Sequence, residues 1–321
     1  MQSMRILRAT HLGMCFGVRD AIDLALERGA AAPLTILGDL VHNAAVLQRL
    51  GERGIAVAHD PSDVTTTTVM VSAHGASKRA IARTQALGLD VVEATCPLVK
   101  TAHQAVRALL RDGYHPVIVG QRNHVEVRGV TEDLDAFDVV LDDADVDALV
   151  ERPRLGVVSQ TTQPIDRVRR VVAMIRAKFP RSEVRFIDTV CLPTKQRQNA
   201  AVELAAQSDV VVVVGGAGSN NTRELVKTCG AHCARVHHVQ TEADLQAEWL
   251  LGADTIGLTA GTSTPDDIID RVETRILELS RTAQLSVASG NDHAGKSTHD
   301  VEGQARTRIE GRRALPERQP A

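Results

Sequence analysis

The chain has 321 residues, of which 43% are hydrophobic and 24% are charged, and its formal net charge is −3. This composition is typical of a globular protein of two or three domains, and the balance of charge argues against a nucleic-acid-binding surface. No apolar run is long enough to span a membrane and no secretion signal is apparent, so we expect a cytoplasmic protein with no membrane partner.

Short apolar runs alternate with helical patterns along most of the chain. In chain order the runs are LTILGD, TVMVSAH, DVVEAT, PVIVGQ, LGVVSQ, VRFIDT, DVVVVVGG and TIGLTAG. Amphipathic stretches such as LVKTAHQAVRALLRDG and PIDRVRRVVAMIRAKF lie between them. This alternation predicts an α/β protein with parallel sheets.

The segments at the strand ends recur in series, which indicates an internal repeat. TILGDLVHN, VIVGQRNHV and VVVVGGAGSNN form one series, and VMVSAHGAS, GVVSQTTQP and GLTAGTSTP form another. We predict three α/β lobes in a pseudo-threefold arrangement, at residues 12–96, 97–188 and 189–280, with residues 4–11 joining the third lobe. The polar, aperiodic residues 281–321 predict a disordered tail. Because ligands bind beyond the carboxyl ends of parallel strands, the loops of all three lobes predict one central site.

A third series carries a cysteine at each passage from strand to helix: Cys15 in GMCFGVRDAI, Cys96 in ATCPLVK and Cys191 in TVCLPTK. A helix N-terminus stabilises a thiolate. None of the three belongs to a CxxC-type pair, so they favour a central iron–sulfur cluster with an open ligand position over a closed zinc site. The alternative is that they are small buried hydrophobic residues, which is the interpretation we favour for Cys229 and Cys233.

Polar side chains follow the strands of the other two series. Imidazoles, hydroxyls and amides beside glycine-rich turns suit the charge and the hydrogen-bonding needs of a diphosphate. The candidates for binding it are His42, His74, His124, Ser219, Asn220, Asn221 and Ser263.

Glu126 follows His124 by two positions, so on a locally extended segment both side chains would face the same way. A carboxyl group beside a metal centre can deliver protons through a short hydroxyl relay, for which Thr161 and Thr162 in SQTT are candidates. The alternative for Glu126, considered alone, is a solvated surface carboxylate.

Taken together, these segments resemble the IspH/LytB family, the 4-hydroxy-3-methylbut-2-enyl diphosphate reductases. The resemblance covers residues 4–280 and runs in order through GMCFGVRDAI, VHN, SAHG, ATCPLV, HVEVRG, SQTT, SNNT and TAGTSTPD. Met14 stands where the family more often has an aromatic residue, and Asn220 stands where a second serine is common.

The resemblance implies one 4Fe-4S cluster held by Cys15, Cys96 and Cys191, with one iron left open. It implies reductive dehydroxylation of the allylic diphosphate to isopentenyl and dimethylallyl diphosphate, the last step of the methylerythritol phosphate route to isoprenoids. The electrons would come from a donor protein of the ferredoxin or flavodoxin type, and Glu126 and Thr161 would act in catalysis. The resemblance also implies that the substrate is held by His42, His74, His124, Thr161, Ser219, Asn220, Asn221 and Ser263.

Two other functions stay open at this stage. A quinolinate-synthase-like enzyme also combines three lobes with a three-cysteine cluster, but its reaction would involve no net redox change. A cluster-bearing sensor or silent paralogue would bind the diphosphate without turning it over, although Glu126 and SQTT favour catalysis.

Overall fold

The computed structural model describes residues 4–291, and for residues 282–291 it describes only the helical backbone. Strands β10 and β12, at the centre of one sheet, are buried along their whole length, as expected for a parallel sheet covered on both faces. The strands are β1 (Arg5–Arg8), β2 (Leu34–Leu37), β3 (Ala56–Ala58), β4 (Thr68–Val71), β5 (Asp90–Glu93), β6 (His115–Val119), β7 (Asp138–Val140), β8 (Arg154–Ser159), β9 (Glu183–Phe186), β10 (Val210–Val214), β11 (Val236–Val239) and β12 (Thr255–Ala260).

These strands form three parallel sheets of four strands each. The strand orders are β3-β2-β4-β5, β7-β6-β8-β9 and β11-β10-β12-β1, so the three sheets have the same topology. Strand β1 pairs with β12, with Arg5 opposite Thr255, and thereby takes the edge position that β5 and β9 hold in the other sheets. The predicted three-lobed α/β fold is confirmed, whereas the exact lobe boundaries stay a prediction.

Helices follow the strands and cover the sheets. They are α1 (Phe16–Ala31), α2 (Ala44–Glu52), α3 (Lys78–Ala86), α4 (Pro97–Arg111), α5 (Val125–Thr131), α6 (Asp143–Ala148), α7 (Ile165–Lys178), α8 (Leu192–Ala205), α9 (Asn220–Gly230) and α10 (Asp266–Asn291). Short 3₁₀ turns occupy Pro61–Asp63, Glu242–Asp244 and Ala247–Leu250.

Helix α10 continues into the segment for which the sequence predicted disorder from residue 281. The stretch that begins at 281, RTAQLSVAS, contains Arg, Ala, Gln and Leu, which are good helix formers, so a polar composition did not end the helix there. Residues 292–321 lie outside the described residues, and disorder there stays a prediction.

Aliphatic side chains form the cores, since only 2% of the residues are aromatic. Ile36 is fully buried in the first lobe, as are Leu155 in the second and Leu258 in the third. Cys229 and Cys233 pack in the core beside α8 and α9, which confirms that they are core residues. No helix among the described residues is long and apolar enough to cross a bilayer.

Candidate active site

Three histidine side chains from two lobes meet where the strand-end loops converge. His42 follows β2 and His74 follows β4 in the first lobe, and His124 follows β6 in the second. The ring centroids of His42 and His74 lie 4.4 Å apart, and that of His124 lies 5.4 Å from His42 and 5.6 Å from His74. The three loops therefore bring these rings into direct contact.

The third lobe joins this group through a glycine that touches the His42 loop. A Cβ atom on Gly216 would lie 2.3 Å from the carbonyl oxygen of His42, so only glycine fits there. This close approach places the start of α9 beside the histidines. Every predicted substrate-binding residue except Thr161 lines a cavity of about 40 Å³, whose polar lining residues are His42, His74, His124, Thr162, Ser219, Asn220, Asn221, Thr262 and Ser263.

Two buried nitrogen atoms at this cavity have no hydrogen-bond partner: Nδ1 of His74 and Nδ2 of Asn221. The amide oxygen of Asn221 accepts a hydrogen bond from the backbone N–H of Thr262 at 3.0 Å, which orients the amide. A buried polar group without a partner costs about 1–3 kcal/mol. Such groups suit a ligand rich in oxygen atoms, such as a phosphate.

Burial lowers the pKa of His42, His74 and His124, in the last case to about 4. The positive charge of Arg223, an exposed residue in the first turn of α9, contributes to the lowered pKa of His42 and His124. Burial therefore favours the neutral form of all three rings, whereas a bound anion would favour their protonated forms.

The serines at this cavity hold the loops in place. Ser219 caps α9, since its hydroxyl oxygen accepts a hydrogen bond from the backbone N–H of Thr222 at 3.3 Å. The hydroxyl of Ser263 donates to the carbonyl oxygen of His42 at 3.4 Å, across the boundary between the third and first lobes.

Asn220 links the second and third lobes. Its Nδ2 donates to the hydroxyl oxygen of Thr162 at 3.1 Å, and its Oδ1 accepts from the side-chain amide of Gln121 at 2.8 Å. Both side-chain ends of Asn220 thus have protein partners, in contrast to Nδ2 of Asn221.

Glu126 is a buried acid held by the loop that carries Thr161. Its Oε1 accepts from the backbone N–H of Thr161 at 2.6 Å, and its Oε2 accepts from the Thr161 hydroxyl at 3.0 Å. Burial raises the pKa of Glu126 to about 7, although both hydrogen bonds act in the opposite direction. At neutral pH this carboxyl group is therefore poised to give or take a proton.

The three cysteines occupy equivalent positions, each as the N-cap of the helix that follows the β1, β5 or β9 edge strand. The backbone N–H of Cys15 donates to the carbonyl of Thr262 at 3.1 Å, that of Cys96 to Ala73 at 3.1 Å, and that of Cys191 to Thr161 at 3.0 Å. Each acceptor lies in the loop after the adjacent inner strand of the same sheet. The same kind of backbone hydrogen bond thus holds each of the three cysteine loops.

The cysteine side chains face one another across the lobe boundaries. A Cβ atom on Gly17 would lie 2.4 Å from the sulfur of Cys96, so this sulfur packs against the first turn of the helix that Cys15 caps. The charge of Cys15 acts on the pKa of both Cys96 and Cys191, and so does the charge of Glu126. The buried acid therefore neighbours this cysteine centre, formed by Cys15, Cys96 and Cys191.

Burial raises the pKa of Cys96, and raises that of Cys191 to about 11, although hydrogen bonds at the helix N-termini lower both. At Cys96 and Cys191 the effect of burial on the pKa therefore outweighs that of the helix N-terminus, contrary to the expectation from sequence. A metal that binds these thiols would have to displace their protons.

The spacing of the sulfur atoms distinguishes between kinds of metal site. Among the residues that the structure describes, the three histidines are the only three metal-type donors whose atoms lie within 4.8 Å of one another. A single zinc ion with bonds of about 2.3 Å to sulfur would bring its thiolates within about 4 Å of one another. At least one pair of the cysteine sulfurs therefore lies farther apart than a single zinc ion would place them.

One local expectation was wrong, and several contacts were not foreseen. His124 does not begin an extended segment: it caps α5, with its Nδ1 accepting from the backbone N–H of Glu126 at 3.2 Å, so Glu126 lies in the first helical turn. Thr194, whose hydroxyl lies 3.0 Å from the sulfur of Cys191, was missed, as were Gln121 and Arg223. The position of Thr194 three residues after Cys191 was the available signal.

The fold and the site together define a three-lobed α/β protein with a thiol centre, a polar anion-type cavity and a buried acid close to both. The family model described as LytB protein matches residues 6–277. The chain belongs to this LytB family, which implies an iron–sulfur cluster.

Relatives of similar length support this membership. A protein of Pelobacter propionicus named 4-hydroxy-3-methylbut-2-enyl diphosphate reductase is 37% identical over 280 residues, which are 87% of this chain and 99% of that relative. A protein of Trichlorobacter lovleyi with the same name is 38% identical over 275 residues, which are 85% of this chain and 98% of that relative.

Two solved structures share the fold. The E-1-hydroxy-2-methyl-but-2-enyl-4-diphosphate reductase of Plasmodium falciparum matches with a TM-score of 0.80 at 28% identity, over 85% of this chain and 87% of that one. An (E)-4-hydroxy-3-methyl-but-2-enyl diphosphate reductase, described as the terminal enzyme of the non-mevalonate pathway, matches with a TM-score of 0.62 at 35% identity, over 87% of this chain and 100% of that one.

Proposed function

We propose that the protein reduces 4-hydroxy-3-methylbut-2-enyl diphosphate to isopentenyl and dimethylallyl diphosphate. The reaction consumes two electrons and two protons, breaks the allylic C–O bond and releases water. The chain is an iron–sulfur oxidoreductase of isoprenoid biosynthesis, in agreement with its family and with the names of its relatives. The observation that carries the proposal is the position of Glu126, a buried acid whose backbone N–H donates a hydrogen bond to the cavity residue His124 and whose charge acts on Cys191.

Cys15, Cys96 and Cys191 would hold one 4Fe-4S cluster. Their equivalent backbone contacts and their wide spacing support this ligand set. When bound, such a cluster supplies electrons singly and leaves one Lewis-acidic iron without a cysteine. Three cysteines are the ligands that this arrangement requires.

The diphosphate would bind among His42, His74 and His124 and the start of α9. The unpartnered nitrogens of His74 and Asn221 supply hydrogen bonds to its oxygens, and Arg223 adds positive charge nearby. Ser219 and Ser263 lie at the same cavity, while Asn220 holds the second lobe against the third. With the charged end fixed in this cavity, the substrate's hydroxyl end is free to extend toward the cysteine centre.

Glu126 would supply the protons. Its raised pKa keeps a large fraction protonated at neutral pH, and the Thr161 hydroxyl is within hydrogen-bond reach of its carboxyl group. Proton delivery to the departing oxygen turns a poor leaving group into water. Thr161 fixes Glu126 and also accepts the hydrogen bond from Cys191, so it couples the acid to the cysteine centre.

The electrons would come from a ferredoxin or flavodoxin in the cytoplasm. The reaction needs an external electron donor, because every turnover consumes two electrons and the side chains of the site cannot supply them repeatedly. Both donor types carry electrons one at a time and suit a cluster that accepts them singly.

The direct test is an anaerobic assay on protein with a reconstituted cluster, in which reduced methyl viologen is the electron donor. Substrate-dependent oxidation of the viologen, with isopentenyl and dimethylallyl diphosphate as products, is the expected result. A cluster-loaded protein that consumes no electrons but binds the substrate would instead be the silent paralogue. If it converts dihydroxyacetone phosphate and iminoaspartate, it is quinolinate-synthase-like.

A further inference from the structure

Arg197 is a buried cation directly beside the cysteine centre. It lies on α8, the helix that Cys191 caps, and only 7% of the residue is exposed. Its Nε and Nη2 donate to the carbonyl oxygen of Gly13 at 3.0 and 2.6 Å, and its Nη1 donates to that of Pro193 at 3.1 Å. The guanidinium thus ties the loop before Cys15 to the helix after Cys191.

Both of these partners are neutral carbonyl groups. Among the described residues, no carboxylate lies within 4.0 Å of the Arg197 guanidinium, whereas the partly buried Arg167 pairs with Glu224 at 2.9 Å. The ionisable groups that act on Arg197 are Cys15 and Cys191, with Arg19 as an opposing cation. Arg19 is itself paired with Asp266 at 2.8 Å.

A buried charge is costly unless an opposite charge lies nearby. Burial lowers the pKa of Arg197, and Cys15 and Cys191 act in the opposite direction when they are thiolates. Carbonyl oxygens satisfy the N–H groups but carry no net charge. Within the part of the chain that the structure describes, the groups in a position to balance Arg197 are therefore Cys15, Cys191 and whatever metal they bind.

We infer that Arg197 is the positioning residue and counter-charge of the cysteine centre: it holds the Cys15 and Cys191 segments together and offsets their negative charge. This inference rests on the proposed function, because the negative charge is that of a thiolate-bound cluster. Each one-electron reduction by an external reductant adds one negative charge, which a nearby fixed cation stabilises. Arg197 therefore raises the reduction potential and makes the cluster easier to reduce.

The test compares Arg197→Met, which removes the charge, with Arg197→Lys, which keeps it and loses the forked hydrogen bonds. Reduction potentials are measured by dithionite titration of the reconstituted proteins, together with iron content per chain and thermal unfolding. Arg167→Met is the matched control, since it removes a partly buried arginine that faces a carboxylate. We expect Arg197→Met to lower the equilibrium constant for one-electron reduction by on the order of tenfold, which corresponds to about 59 mV.

We expect Arg197→Lys to stay near the wild-type potential, and Arg167→Met to lose thermal stability without a change in potential. A folded Arg197→Met protein with full iron content and the wild-type potential would overturn the inference. If Arg197→Met folds without taking up iron, iron uptake by Arg197→Lys supports the role of Arg197 as a counter-charge. Failure of both variants to take up iron overturns the inference. A wild-type protein that binds no cluster would contradict the proposed function instead, so the two failures are distinguishable.

Discussion

The loops of the cysteine centre are built alike in all three lobes, whereas the loops around the polar cavity differ from lobe to lobe. Each cysteine caps a helix after an edge strand and donates its backbone N–H to the neighbouring inner loop. At the cavity, by contrast, the first lobe contributes His42 and His74, the second contributes His124, and the third contributes serine and asparagine side chains. One repeated framework therefore carries two kinds of site.

This difference matches the symmetry of what each site would bind. A cluster with three equivalent cysteine ligands requires one cysteine in the same position of every lobe, so the three cysteine loops can have the same structure. An allylic diphosphate has a charged end and a reacting end, so it needs different groups in different directions. Glu126 has no acidic counterpart at the matching position in the other two lobes, where Ala45 and Asn221 follow the caps of α2 and α9 by the same number of residues.

The largest effect should come from breaking the threefold set of thiols. Replacing Cys15, Cys96 or Cys191 by serine is expected to abolish cluster assembly and turnover, because each removes one ligand of a shared centre. Iron content per chain and the viologen assay check this. Cys229→Ser is the control, since this buried core cysteine should affect stability and leave iron content unchanged. Full iron and activity in any of the first three variants would remove that cysteine from the ligand set.

The next largest effect should come from removing the carboxyl group of Glu126. Glu126→Gln is expected to keep the cluster and bind substrate, while turnover falls by roughly 10²–10⁴-fold, the usual contribution of a general acid. Single-turnover rates and substrate affinity measure the two effects separately. Glu132→Gln, at the C-terminal end of the same helix, should change neither. An unchanged rate in Glu126→Gln would exclude Glu126 as the proton donor.

The raised pKa of Glu126 predicts how turnover depends on pH. A proton donor works in its protonated form, and a pKa of about 7 means that this form is present below neutral pH and is lost as the pH rises through 7. The rate at saturating substrate should therefore fall above about pH 7 in the wild type. The residual rate of Glu126→Gln should not fall in this way with rising pH. The same fall in both proteins would show that another group titrates.

A smaller effect is expected from one histidine of the cavity. His74→Phe removes an unpartnered buried nitrogen, and the loss of a hydrogen bond to a charged group costs about 1.5–3 kcal/mol, or roughly 10- to 100-fold in substrate affinity. His237→Phe is the matched control, because that ring stacks on Trp249 at 4.2 Å and lies outside the cavity. Titration calorimetry with the diphosphate substrate measures both. Equal affinities in the two variants would exclude His74 from substrate binding.

The smallest effect should come from Asn220, whose side-chain ends both have protein partners. Asn220→Ser shortens the side chain and breaks the hydrogen bonds to Thr162 and Gln121, each worth about 1 kcal/mol. We expect a loss of thermal stability and a change of only a few fold in KM. A collapse of turnover with normal substrate affinity would show that Asn220 acts in the chemistry and not in the link between lobes.

The sequence was sufficient for the lobes and for most of the cavity because both depend on short loops at strand ends. A residue in the loop that follows a strand lies at the carboxyl edge of its sheet, so the series that contain His42, His74 and Cys96 predict a shared site. The cap of α5 was harder to foresee, since histidine is an uncommon N-cap residue. Nδ1 of His124 accepts a hydrogen bond from the backbone N–H of Glu126, which lies in the first turn of the helix.

Contacts between lobes could not be predicted from local patterns. The approach of Gly216 to His42 and the bond from Asn220 to Gln121 join residues that are distant in the chain, and nothing in either segment specifies its partner. The same is true of Arg197. Its sequence context is that of an ordinary charged helical residue, and nothing in it indicates the hydrogen bond to the carbonyl oxygen of Gly13.

Three equivalent cysteine ligands would leave one iron free for the substrate in an otherwise asymmetric pocket. The most direct test is a Mössbauer spectrum of protein reconstituted with ⁵⁷Fe, recorded with and without the hydroxymethylbutenyl diphosphate. We expect one iron of the four to differ from the rest and to change on addition of substrate, while the other three stay the same. Four irons with the same spectrum, unaffected by the substrate, would contradict the account.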